Sequence, residues 1–136
     1  MKTLNLIIML TLVVSCQSVK KTADASAFDK AIAEHFDGKV KKLSNTSGTF
    51  IIVTQTNETS MKLPGNALKF GIYDVKKEKL VYIEEKYNAH ASWFNEEYIL
   101  IKSQPGVKST DPEVDNSMRQ YYINAKTLER FTQLPN

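Results

Sequence analysis

The chain has 136 residues, 42% hydrophobic and 24% charged, with a formal net charge of +3. That length holds one domain, or one domain with a targeting segment, and leaves no room for a multidomain enzyme, a polytopic membrane protein or a closed array of four or more blades. Five Gly, four Pro and 10% aromatic residues exclude a collagen-like, low-complexity or wholly disordered chain.

The chain opens with Lys2 and an apolar stretch from Leu4 to Val14. A spanning helix needs about 20 apolar residues, so this stretch is too short to cross a bilayer and has the proportions of a secretory signal. Val13-Val14-Ser15-Cys16 then resembles the bacterial lipobox: an aliphatic residue, a tolerant position, a small residue and Cys. The resemblance implies cleavage before Cys16, a diacylglycerol on its thiol and an acylated amine. Cys16 is the sole cysteine, so the chain has no internal disulfide and no second thiol for catalysis. Two or three acyl chains anchor firmly, at about 0.8 kcal/mol per buried methylene. By the same resemblance, Gln17 rather than Asp after the Cys implies sorting to the outer membrane. The run Ser18 to Thr22, without an acidic cluster, implies a periplasm-facing position. The expected organisation is a signal peptide over 1–15, lipidated Cys16 with a flexible tether over 16–25, and a single small β-rich domain over 26–136. Fully extended, the nine residues from Gln17 to Ala25 reach roughly 30 Å.

Next comes a short amphipathic helix over about Ser26 to Phe36. Phe28, Ala31, Ile32 and Phe36 share one face, Ser26 is the N-cap with Asp29 three residues on, and Gly38 is the stop. The remainder reads as strands: Thr49 to Gln55, then a turn at Asn57-Glu58 into Thr59 to Leu63. Lys69 to Val75, Leu80 to Tyr87, His90 to Phe94, Glu97 to Lys102, Arg119 to Ile123 and Leu128 to Gln133 follow. The expected fold is mainly β (α+β), an antiparallel meander, curled or blade-like, capped by the N-terminal helix. Several strands are apolar on both faces, such as Phe50 to Val53 and Leu80 to Ile83, so both sides of a sheet need cover. Gln104 to Ser117 reads as a long loop without a regular pattern.

Two segments fifty residues apart align: Ile72-Tyr73-Asp74-Val75-Lys76-Lys77 and Tyr122-Ile123-Asn124-Ala125-Lys126-Thr127. In each, a strand ends in Asp or Asn, a residue that closes an Asx-type turn, and a basic loop follows. With Trp93 and the apolar strand from Tyr98 to Ile101 between them, residues 69–134 loosely resemble the hairpins of Tol-associated and WD-repeat propeller blades. About two blades and a helix fit after the tether.

The inventory for catalysis is thin, and no catalytic residue is assigned. There is no Walker-type loop, GxGxxG, HExxH or CxxC, and nothing calls for a cofactor. His35 suits the negative end of the helix. The alternative to a binding protein is a small envelope hydrolase using His90 with Ser92 or a nearby carboxylate. Positions i and i+2 on a strand share a face, however, without the in-line geometry of a nucleophile and its base. Asp111, Glu113 and Asp115 alternate as calcium-loop ligands do, but Pro112, Asn116 and Tyr122 depart from that pattern, so no metal site is assigned and the triplet is a weak candidate. Trp93, Phe94, Tyr98, Tyr121 and Tyr122 are the candidate ligand-binding residues, an aromatic floor beside the 104–117 loop. The function expected is a non-enzymatic binding module of the cell envelope, held to the membrane by its N-terminal lipid and docking a protein, peptide or glycan. Of the eighteen basic residues, Lys2 belongs to the leader and Lys20 and Lys21 to the tether. Fifteen basic residues then stand against fifteen acidic ones in all the rest, Asp24 of the tether included. The domain is close to neutral, which removes the charge argument for a nucleic-acid partner.

Overall fold

A computed structural model describes residues 26–58, 66–104 and 110–134. The lipobox, the leader, the tether and the expected strand from Thr59 to Leu63 lie outside these. Helix α1 (Ala27–Ala33) comes first, then β1 (Lys41–Ser44), β2 (Phe50–Glu58), β3 (Asn66–Asp74) and β4 (Lys79–Tyr87). These strands form one antiparallel meander in the order β1-β2-β3-β4. Strands β5 (Ala89–Trp93), β6 (Tyr98–Ser103), β7 (Gln120–Asn124) and β8 (Arg130–Phe131) form a second, in the order β5-β6-β7-β8, with helix α2 (Pro112–Arg119) leading directly into β7. The β-rich antiparallel meander read from the sequence is the fold observed, built as two sheets rather than one.

Strand alternation explains how both faces of the first sheet are covered. Ile52, Leu68, Phe70 and Ile72 point toward the second sheet and meet Ala91, Ile99, Ile101, Tyr121 and Ile123 in one core. Ile51, Val53 and Tyr73 point the other way and meet Ile32 and Phe36 of the α1 segment, with Phe28 edge-on to Tyr73 at 4.8 Å. Ile52, Phe70, Ile72, Ile99, Ile101 and Ile123 are all fully buried. Each such side chain contributes about 1.5–3 kcal/mol relative to exposure.

Helix α1 forms where its apolar spacing predicts but ends at Ala33 with Glu34 as its C-cap, so Phe36 packs from beyond its end. Ser26 Oγ accepts from the Asp29 backbone N–H at 3.1 Å and donates to the Asp29 carboxylate at 2.7 Å. Gly38 turns the chain at φ +83°. On the facing strand, Gly71 leaves the space into which Phe36 packs: a Cβ there would lie 3.3 Å from the Phe36 ring and 3.0 Å from the Tyr82 carbonyl oxygen.

Two expectations need correction, and one strand goes unread in the sequence. Asn57-Glu58 is not a turn, because β2 runs through it and pairs Glu58 with Asn66. The stretch read as a loop contains α2: Asp111 Oδ1 accepts from the Glu113 N–H at 2.9 Å, Pro112 stands at the first helical position, and Asp115 pairs with Arg119. Strand β1, which sequence reading missed, is four residues long and exposes three of them, so it carries almost no hydrophobic pattern.

The fifty-residue repeat is structural. Asp74 ends β3 and accepts from the Lys77 N–H at 3.0 Å; Asn124 ends β7 and accepts from the Lys126 and Thr127 N–H groups at 2.9 and 3.0 Å. Both turns close through a residue of positive φ, Glu78 at 52° and Leu128 at 64°. Each is the third strand of its own meander.

Candidate functional site

The register of the second sheet sorts its side chains. Ala91, Ile99, Ile101, Tyr121 and Ile123 point inward to the core, so His90, Ser92, Tyr98, Leu100, Lys102, Gln120, Tyr122 and Phe131 point outward. The five aromatics proposed from sequence therefore divide. Trp93 and Tyr121 face the first sheet, while Phe94, Tyr98 and Tyr122 belong to the outer surface, together with Phe131, which sequence reading did not single out. Phe94 packs edge-on to Tyr122 at 5.3 Å, and Tyr98 edge-on to Phe131 at 5.9 Å. Phe94 is 50% exposed and Tyr122 only 9%, so the patch has a sheltered centre and an open rim.

The inward aromatics tie the sheets together at two places. Trp93 donates its indole N–H to the Leu43 carbonyl at 2.7 Å, where β5 reaches β1. Beside it, the Glu96 carboxylate accepts from the Thr46 and Ser47 N–H groups at 3.0 and 2.7 Å, and Asn45 donates to the Glu96 carbonyl at 3.1 Å. The Ser47 hydroxyl first, and then the Ser47 and Thr46 N–H donors, hold the Glu96 carboxyl below the usual carboxylate range. Across the molecule, the Glu84 carboxylate of β4 accepts from Tyr82 at 2.6 Å and from Arg130 of β8 at 2.9 Å. Tyr121 fills the centre of this second cluster, with the Arg130 guanidinium 4.4 Å and the Lys86 ammonium 4.3 Å from its ring centroid. Burial pushes the Tyr121 phenol far above its ordinary value, and the nearby Glu84 charge adds to the rise. Its hydroxyl is shut from solvent without a hydrogen-bond partner among the described residues. Burial also lowers the Lys86 ammonium. Sequence reading missed this cluster: its members lie on three strands, and no local motif connects them.

His90 and Ser92 do share the outer face of edge strand β5, as their spacing requires. Among the described residues no hydrogen bond joins them and no carboxylate forms an ion pair with His90. Asp111, Glu113 and Asp115 are drawn into the first turn of α2, where Asp111 caps the helix and Asp115 holds Arg119 at 2.6 Å. Among the described residues no group of three or more His, Cys, Asp or Glu side chains is placed to hold a metal ion. No described helix is long and apolar enough to cross a membrane.

A cleft of about 440 Å³ opens at one end of the second sheet, where β5 starts, β6 ends and α2 hands over to β7. Its lining includes His90, Lys102, Ser103, Gln104, Arg119 and Gln120. No known protein family, curated protein or solved structure matches the chain.

Proposed function

We propose that the protein is a lipid-anchored, non-enzymatic binding module of the cell envelope. It is tethered through acylated Cys16 to the periplasmic side of the outer membrane and engages a protein, peptide or glycan through the outer face of its second sheet. One observation carries the binding half of this reading: the two sheets are finished differently. The outer face of the first is sealed by Ile32 and Phe36 of the α1 segment. The outer face of the second has two edge-on aromatic pairs, and Phe94 is half exposed. Rigid aromatic rings with an open rim give large contact area at little entropic cost, which suits recognition. The anchoring half rests on Val13-Val14-Ser15-Cys16 and the apolar stretch before it.

A photo-crosslinking amino acid at position 94, in the native envelope, tests the binding half against the same probe at Glu78, a turn of the first sheet. A discrete adduct from position 94 that is absent from position 78 is the expected result; identical patterns from both refute it. For the anchor, Cys16→Ala is expected to abolish palmitate labelling and release the protein from the membrane fraction. Unchanged labelling refutes lipidation.

A further inference from the structure

We infer that the cleft at the β5–β6–β7 end of the second sheet is a binding site for a small polar ligand carrying a carboxylate or phosphate group. Register sets the geometry: His90 stands opposite Lys102, and Lys102 opposite Gln120, so three side chains stand abreast on neighbouring strands about 4.8 Å apart. Arg119, the residue before Gln120, brings a second fixed cation to the same rim. Its Nε is held by Asp115 at 2.6 Å, which fixes the guanidinium rather than leaving it to sweep through solvent.

Among the described residues the lining has no carboxylate, and Lys102 has no ion-pair partner. Arg119 gives its Nε to Asp115, so the anchoring charge is that of Lys102, and an oxyanion beside it accepts charge-assisted hydrogen bonds from the ammonium and from the remaining guanidinium N–H groups. Of the neutral members, Gln104 suits a hydroxyl or amide group beside the charge, and Gln120, whose Nε2 donates to the Tyr122 hydroxyl at 3.1 Å, offers its amide oxygen and second N–H. A volume of about 440 Å³ falls within the 300–1,000 Å³ typical of small-molecule sites. The combination selects acidic sugars and sugar phosphates over neutral sugars, and over cations of any kind. This site lies at the strand ends and meets the aromatic face at Gln120, which donates to the Tyr122 hydroxyl, so Lys102, outside that face, is the residue that tests it separately.

The test is calorimetric titration of the full-length acylated protein in detergent with glucuronate, glucose 6-phosphate and glucose. Saturable binding of both anions is expected, with none of glucose. Lys102→Gln, a change at an exposed residue that leaves the core untouched, is expected to weaken the anions about tenfold or more, as loss of one charge-assisted hydrogen bond does. Lys30→Gln, the same loss of charge at an exposed position of α1, is expected to leave their affinity unchanged. Binding of glucose as tight as that of the anions, no binding of either anion, or full affinity in Lys102→Gln overturns the proposal.

Discussion

Replacing Tyr121 with Phe is expected to stabilise the protein. The hydroxyl has no partner within hydrogen-bond geometry among the described residues, in a residue only 2% exposed, and Glu84 is the nearby acceptor it fails to reach. Leaving such a group unsatisfied costs about 1–3 kcal/mol, and Tyr121→Phe removes that cost. Against this stand the few dispersion contacts of a single oxygen, about 0.1–0.2 kcal/mol each. The ring stays, and with it the contacts to Lys86 and Arg130 at 4.3 and 4.4 Å. The net expectation is a gain of about 1 kcal/mol, which in a domain of this size raises Tm by about 4–8 °C. Urea unfolding should show a higher midpoint at unchanged slope. Tyr121→Leu, which keeps an apolar side chain but forfeits the ring and its two cations, should lose about 2–5 kcal/mol. The opposite sign for Tyr121→Phe, a loss of 1 kcal/mol or more, would show that the hydroxyl donates to Glu84 in solution, and the reasoning would be wrong.

Asp74 offers a pH test. Burial by itself raises its carboxyl, but the Lys77 and Lys76 N–H groups and the Lys77 ammonium at 3.1 Å outweigh it and hold the group below its ordinary value. A depressed native value means the contribution is present above the unfolded value near 4 and is lost as pH falls through the native one. Asp74→Asn, which can close the turn as Asn124 does, should therefore keep the fold and flatten the acid limb of stability against pH; an unaltered limb would refute the assignment. Gly71→Ala should cost about 1–3 kcal/mol, because its Cβ would meet Leu80 at 2.9 Å and the Tyr82 backbone oxygen at 3.0 Å. A urea midpoint equal to that of the parent would show that α1 and β4 yield more easily than their packing implies.

The sequence makes strands legible where β-branched and aromatic residues run together, as in Phe50 to Val53 and Tyr98 to Ile101, and α1 legible from the spacing of Phe28, Ile32 and Phe36. It hides α2 because Asp111-Pro112 has two readings: a chain breaker, or an N-cap followed by the residue that best tolerates the first helical position. Acidic residues early in the segment and Arg119 at its end favour the helix, and these were visible. Sorting the aromatics was harder. Trp93 and Phe94 are neighbours, as are Tyr121 and Tyr122, so one of each pair faces each way. In strands apolar on both sides no alternation says which. Only the second sheet's position settles it, and that is fixed by contacts about fifty residues apart, such as Trp93 to Leu43.

Every strand pairs only with its neighbour in sequence, and one residue, Asn88 at φ 47°, joins the two sheets. The molecule is built like a book. Each cover zips up from local hairpins, which close in microseconds, and Asn88 is the spine. Two steps bring distant parts of the chain together: α1 docks on the back of the first cover, and the covers shut, which engages the clasps at Trp93–Leu43 and Arg130–Glu84 at once. A spine so short leaves little freedom in how the covers meet. It also places the longest-range search of folding in the docking of two sheets whose strands are already paired.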